Sequence, residues 1–132
     1  MKGIHHLGVA VADLDEAIGS YERLFCAELE GRERQNEQGV EAVSMRVGGG
    51  HVELLAALGP DTPVGRFLAS RGPGMHHVAY EVDDLSGELL RLESEGAQLI
   101  DDAPRPGLFG MQVAFIHPDA AHGVLSELVA RV

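Results

Sequence analysis

An α+β fold built from two related βαβββ modules is what this sequence predicts, and three observations carry the prediction. The stretch "IHHLGVAVADL", beginning at Ile4, returns as "MHHVAYEVDDL", beginning at Met75. Each copy opens on residues that alternate between apolar and small or polar. Each then runs into a stretch with helical apolar spacing. A repeat of this kind sets the architecture before any local reading does, because each copy is one supersecondary unit that is too small to bury its own apolar face.

The first strand places Leu7, Val9 and Val11 on one face and His6, Gly8 and Ala10 on the other, the period of two that a pleated strand imposes. Its counterpart sets Val78, Tyr80 and Val82 against His77, Ala79 and Glu81. Small residues beside each histidine leave room on that face. A helix follows each strand. Asp13 is the N-cap of the first, with Glu16 in the first turn and Leu14, Ile18, Tyr21 and Phe25 on one stripe. Asp84 caps the second, Leu85, Leu89 and Leu92 form its stripe, and Gly96 stops it.

Further strands are expected over Ala42 to Val47 and His51 to Leu55, around the turn Gly48 to Gly50, and in the second copy over Gln98 to Ile100, Gln112 to Ile116 and Val124 to Val129. Between the copies, Thr62 followed by Pro63 signals the start of a short helix, and Gly72-Pro73-Gly74 closes the connection. The organisation read from this is a single domain, 1–132, with module one at 1–58, a linker at 59–74 and module two at 75–132. The two modules are expected to be related by pseudo-two-fold symmetry and to form a curved mixed sheet around a site.

Composition narrows the function. A net charge of −11, with ten Lys and Arg against 21 Asp and Glu, excludes a phosphate-binding basic face and so a nucleic-acid partner. No apolar run approaches the roughly 20 residues of a membrane span, and no signal-like segment opens the sequence. The expectation is a soluble cytoplasmic protein without a membrane partner. The lone cysteine, Cys26, has apolar neighbours and reads as a small buried thiol.

Four residues face the open side of these strands: His6 and Glu53 from module one, His77 and Glu127 from module two. Glu53 lies in "HVELLA" and Glu127 in "GVLSELVA", where an ionised carboxylate is costly without a partner or a metal. A single histidine on a strand is most often structural. A repeated histidine with a repeated, oddly placed glutamate points instead to a site for a divalent ion with open positions. That donor set admits cobalt, manganese, zinc or nickel. His5 and His76 alternate to the other face and read as core-edge or capping residues, while His51, His117 and His122 have no counterpart and read as turn or surface residues.

With these residues in view, the chain resembles the vicinal oxygen chelate, or glyoxalase-like, superfamily, and within it the methylmalonyl-CoA epimerase family. The matching stretches are "IHHLGVAVADLDEAIGSYERLF", "EQGV", "VELLAALGPDTPVGRFLASRGPGMHHVAYEVDDL", "LIDDAPRPG" and "GVLSELV". The resemblance implies His6, Glu53, His77 and Glu127 as ligands of a divalent metal, with cobalt first among cobalt, manganese, zinc, nickel and magnesium. It also implies Glu127 as a catalytic acid/base, a small-molecule acyl-CoA substrate and a homodimer. The implied reaction interconverts (R)- and (S)-methylmalonyl-CoA by proton abstraction and return at the α-carbon through a metal-stabilised enolate. Ala42 stands where some members carry a second glutamate base, which leaves Glu41 or water for that role. Met111 and Asp119 stand where basic residues are common, so Arg105 and Arg66 are the candidate anion contacts. The rival on this scaffold is a glyoxalase I-type isomerase, ahead of an extradiol dioxygenase and a metal-free antibiotic-binding protein.

Overall fold

A computed structural model describes residues 1–132. The chain divides into two compact units, one of His6–His76 and the other of His77–Val132 with Met1–His5.

In the unit His6–His76, four strands run in the order β2-β3-β4-β1. They are β1 (Gly3–Ala10, whose first residues belong to the other unit), β2 (Glu28–Gln35), β3 (Val40–Val47) and β4 (Gly50–Ala57). β1 runs parallel to β4, with Gly8 opposite Glu53, and the remaining pairs are antiparallel. Helix α1 (Leu14–Phe25) packs on one face of this sheet, where Leu14, Val43, Met45 and Leu54 meet Val9, Ile18 and Tyr21. A side chain as fully buried as Leu54 contributes about 2 kcal/mol by leaving water. Asp13 caps α1 as expected, its carboxylate accepting from the Glu16 N–H at 3.0 Å.

The unit His77–Val132 carries β5 (Gly74–Glu81, whose first three residues belong to the other unit), β6 (Arg105–Pro106), β7 (Gln112–Ile116) and β8 (Ser126–Ala130), in the order β5-β8-β7-β6. Here too the first strand is parallel to its neighbour, with Ala79 opposite Glu127, and the hairpin strands are antiparallel. Helix α3 (Leu85–Ser94) lays Leu85 and Leu89 against Ala114, Ile116 and Leu128. Its C-terminus closes as a Schellman turn at Gly96 (φ 86°): the Gly96 N–H donates to the Glu93 carbonyl and the Ala97 N–H to the Leu92 carbonyl, each at 3.0 Å.

The connecting helix α2 (Pro63–Arg71) starts where Thr62 and Pro63 placed it. The Thr62 hydroxyl donates to the Gly59 carbonyl at 2.8 Å and accepts from the Gly65 N–H at 3.0 Å. A Cβ at Gly65 would overlap the backbone carbonyl of Gly59 and crowd that of Pro60. Gly65→Ala is therefore expected to destabilise the protein by about 1–3 kcal/mol, because backbone cannot swing aside as a side chain can. Urea denaturation checks this.

Three expectations change, and one strand is new. Cys26 is exposed: α1 ends at Phe25, Cys26 takes the left-handed cap position (φ 53°), and that turn carries the thiol outward. Phe25 leaves the covered stripe with it and is 54% exposed. The segment Gln98 to Ile100 forms only an isolated bridge, Leu99 to Ile116, and the edge strand there is the two-residue β6. β2 escaped the sequence reading because "ELEGRERQ" has no apolar alternation. As the outer strand of its sheet it is held partly by ion pairs, Arg32 with Glu41 and Arg46 with Glu28.

Candidate functional site

Each unit holds one buried imidazole–carboxylate pair, built the same way. In the first, His6 (4% exposed) and Glu53 (7%) lie on the adjacent parallel strands β1 and β4, with Nε2 and Oε2 3.2 Å apart. In the second, His77 (5%) and Glu127 (7%) lie on β5 and β8, with Nε2 and Oε1 also 3.2 Å apart. Gly8 and Ala79 are the register partners of the two glutamates. No larger side chain at either position crowds the carboxylate.

On the far side of each glutamate the halves differ. Ser44 of β3 is opposite Glu53, whereas Phe115 of β7 is opposite Glu127. The Phe115 ring packs edge to face with the His77 imidazole, centroids 5.7 Å apart. Neither neighbour was legible in the sequence, because register across an antiparallel pair is non-local.

The spacing within each pair suits a shared ion. Two donors about 2.1 Å from one ion and at right angles to each other are separated by roughly 3 Å. Imidazole and carboxylate together are a donor set for first-row divalent ions. Burial supplies the second half of the fit, since a carboxylate removed from water needs compensating positive charge.

Several of the remaining sequence candidates are engaged in contacts of their own. Glu41 is opposite Ala56, so it shares the face of Val43 and Leu54, toward α1. Its carboxylate is held by Arg32 Nε at 2.8 Å, and another Arg32 nitrogen donates to Asp15 at 2.7 Å. Those bonds, to Asp15 first and then Glu41, push the Arg32 guanidinium further above its ordinary value. Ala42 is opposite Leu55 on the Glu53 face and offers no proton carrier. Met111 packs on Ala79, Val113 and Val129. Arg66 donates to the Asp61 carbonyl. His51 pairs with Glu30 at 2.8 Å, His76 packs against Phe67, and His117 accepts from the Asp119 N–H.

A family model described as the Glyoxalase/Bleomycin resistance protein/Dioxygenase superfamily matches residues 5–115, and the chain belongs to that superfamily. It is 32% identical over 127 residues to the ethylmalonyl-CoA/methylmalonyl-CoA epimerase of Cereibacter sphaeroides, covering 95% of each. The crystal structure of methylmalonyl-CoA epimerase from Mycobacterium tuberculosis matches with a TM-score of 0.94 and 37% identity, over 98% of this chain and 88% of that one. A methylmalonyl-CoA epimerase solved in complex with methylmalonyl-CoA and NH4+ matches with a TM-score of 0.93 and 33% identity, over 100% and 96%. Within the superfamily the chain is a member of the methylmalonyl-CoA epimerase family, and it is an isomerase. No helix is long and apolar enough to cross a membrane.

Proposed function

We propose that the protein interconverts the (R) and (S) forms of methylmalonyl-CoA, and that His6, Glu53, His77 and Glu127 hold one divalent ion, cobalt foremost, on which the reaction depends. The observation that carries the metal reading is the duplicated buried pair, the same two residue types at the same separation in both units. The substrate reading rests on the relatives, which are epimerases of methylmalonyl-CoA and, in one case, also of ethylmalonyl-CoA.

The bound ion supplies Lewis acidity, which lowers the cost of negative charge on the substrate's thioester oxygen by several kcal/mol. The chain's own residues manage the proton. Glu127 accepts it from the α-carbon, and the C–H electron pair passes into the thioester carbonyl as an enolate. Water returns a proton to the opposite face, and the hydroxide left behind is neutralised by the proton Glu127 carries. Water takes this second role because Glu41 is tied to Arg32 on the helix-covered face and Ala42 carries no titratable group. A homodimer belongs to the same reading and rests on the family resemblance. An exposed free thiol at Cys26 suits a reducing compartment such as the cytoplasm.

The test is exchange of the α-proton of methylmalonyl-CoA in D₂O followed by NMR, on metal-stripped, cobalt-loaded and cobalt-loaded Glu41→Gln protein. Exchange that needs cobalt and is unchanged within about twofold by Glu41→Gln is the expected result. Exchange at full rate in the stripped protein would overturn the metal requirement. A large loss in Glu41→Gln would return that residue to the reaction.

A further inference from the structure

We infer that Asp101, Arg105 and Phe115 form a positioning stack for His77, a role outside the ligand set; it rests on the reading of His77 as a metal ligand. Phe115 is held at its backbone from the neighbouring segment. Its N–H donates to the Asp101 carboxylate at 2.9 Å, and its carbonyl accepts from the Ile100 and Asp101 N–H groups, each at 3.0 Å. The same Asp101 oxygen accepts from Arg105 Nε at 3.1 Å. The Arg105 guanidinium lies over the Phe115 ring, 5.5 Å from its centroid, and the His77 imidazole meets that ring at 80° with centroids 5.7 Å apart.

One carboxylate thus fixes both the strand position of Phe115 and the cation stacked on its ring. The side chains follow in sequence: carboxylate, guanidinium, phenyl, imidazole. An imidazole's outer torsion has broad wells, so its plane is set by what packs against it rather than by its own rotamer. A metal ligand needs that plane held, and the groups that hold it commonly matter for affinity by 10- to 100-fold. The other half-site has Ser44 opposite its glutamate, so the device is specific to the half that contains Glu127. It also gives Arg105 an occupation other than contact with a substrate phosphate.

The experiment uses the full chain and two readouts besides turnover. Imidazole ¹H–¹⁵N spectra of the metal-free protein report the His77 ring, and Co²⁺ titration followed by visible absorption reports affinity, with thermal unfolding checked for every variant. Phe115→Leu is expected to shift the His77 ring resonances and to weaken Co²⁺ binding about tenfold, while Phe115→Tyr, which keeps the ring, restores both. Arg105→Gln and Asp101→Asn are expected to move the same resonances in the same direction by less. Unmoved His77 resonances in Phe115→Leu, or an Arg105→Gln protein that raises only the KM for acyl-CoA, would overturn the stack; the latter would make Arg105 an anion contact. If the unaltered protein binds no Co²⁺, the ligand reading fails, and the metal-free spectra still decide the stack.

Discussion

Glu127→Gln is expected to slow exchange of the substrate's α-proton by about 10³-fold, within the range by which a positioned acid/base accelerates proton transfer. The substitution keeps shape while removing the charge and with it the ability to carry a proton. That matters here because Glu127 lies in β8, where every residue from Ser126 to Ala130 is buried, and a smaller side chain would confound chemistry with packing. The amide oxygen remains a weaker donor beside His77 Nε2. Cobalt affinity should therefore fall without vanishing, and the rate must be read at saturating metal. A rate that recovers fully under saturation would make Glu127 a ligand alone and send the search for a base to the substrate or to solvent. A rate that stays down while the metal is bound, measured by exchange in D₂O with absorption titration alongside, assigns the proton to this carboxylate.

Much of this site could be read before any coordinates, for a specific physical reason. The repeat supplies an internal control: His6 returns as His77 and Glu53 as Glu127, at histidine-to-glutamate intervals that differ by only three residues, while the residues around them drift. Period-two alternation then says which side of the strand each takes; that all four are buried is a further observation, which alternation alone does not supply. Helix caps at Asp13, Thr62 and Asp84 were legible because capping is decided within four residues.

What stayed hidden depends on partners distant in sequence. β2 is a strand because β3 pairs with it and ion pairs run both ways between them, Arg32 to Glu41 and Arg46 to Glu28, not because "ELEGRERQ" prefers extension. Cys26 is exposed because the helix ends one residue before it, a boundary its apolar neighbours disguised. Arg105 read as a candidate phosphate contact, since the sequence could not reveal that Asp101 and Phe115 converge on it.

Replacing the first pair outright, with His6→Leu and Glu53→Met in one protein, is expected to remove metal stabilisation entirely while leaving the metal-free protein as stable as before or more so. A separation of 3.2 Å also suits a plain imidazole–carboxylate hydrogen bond, so geometry within the pair does not by itself separate a structural role from a ligating one. Energetics does. Buried polar pairs carry a desolvation cost, and exchanging both partners for apolar groups of similar volume is commonly neutral or stabilising by about 1–4 kcal/mol. Nothing in the immediate surroundings forbids it, since Gly8 opposite Glu53 is small and Leu54 and Leu55 already line β4. In the unaltered protein, ion at about 1,000 times its Kd should add about 4 kcal/mol, as any ligand of the folded state does at that ratio. Thermal unfolding with and without Co²⁺ therefore gives a large shift in one protein and none in the other. If instead the double variant unfolds without metal, the His6–Glu53 pair is part of what folds the unit. If it folds and still gains the full stabilisation, the ion is held by other groups. The combination expected here, metal stabilisation gone and intrinsic stability intact, is the signature of residues kept buried for an ion and not for the fold.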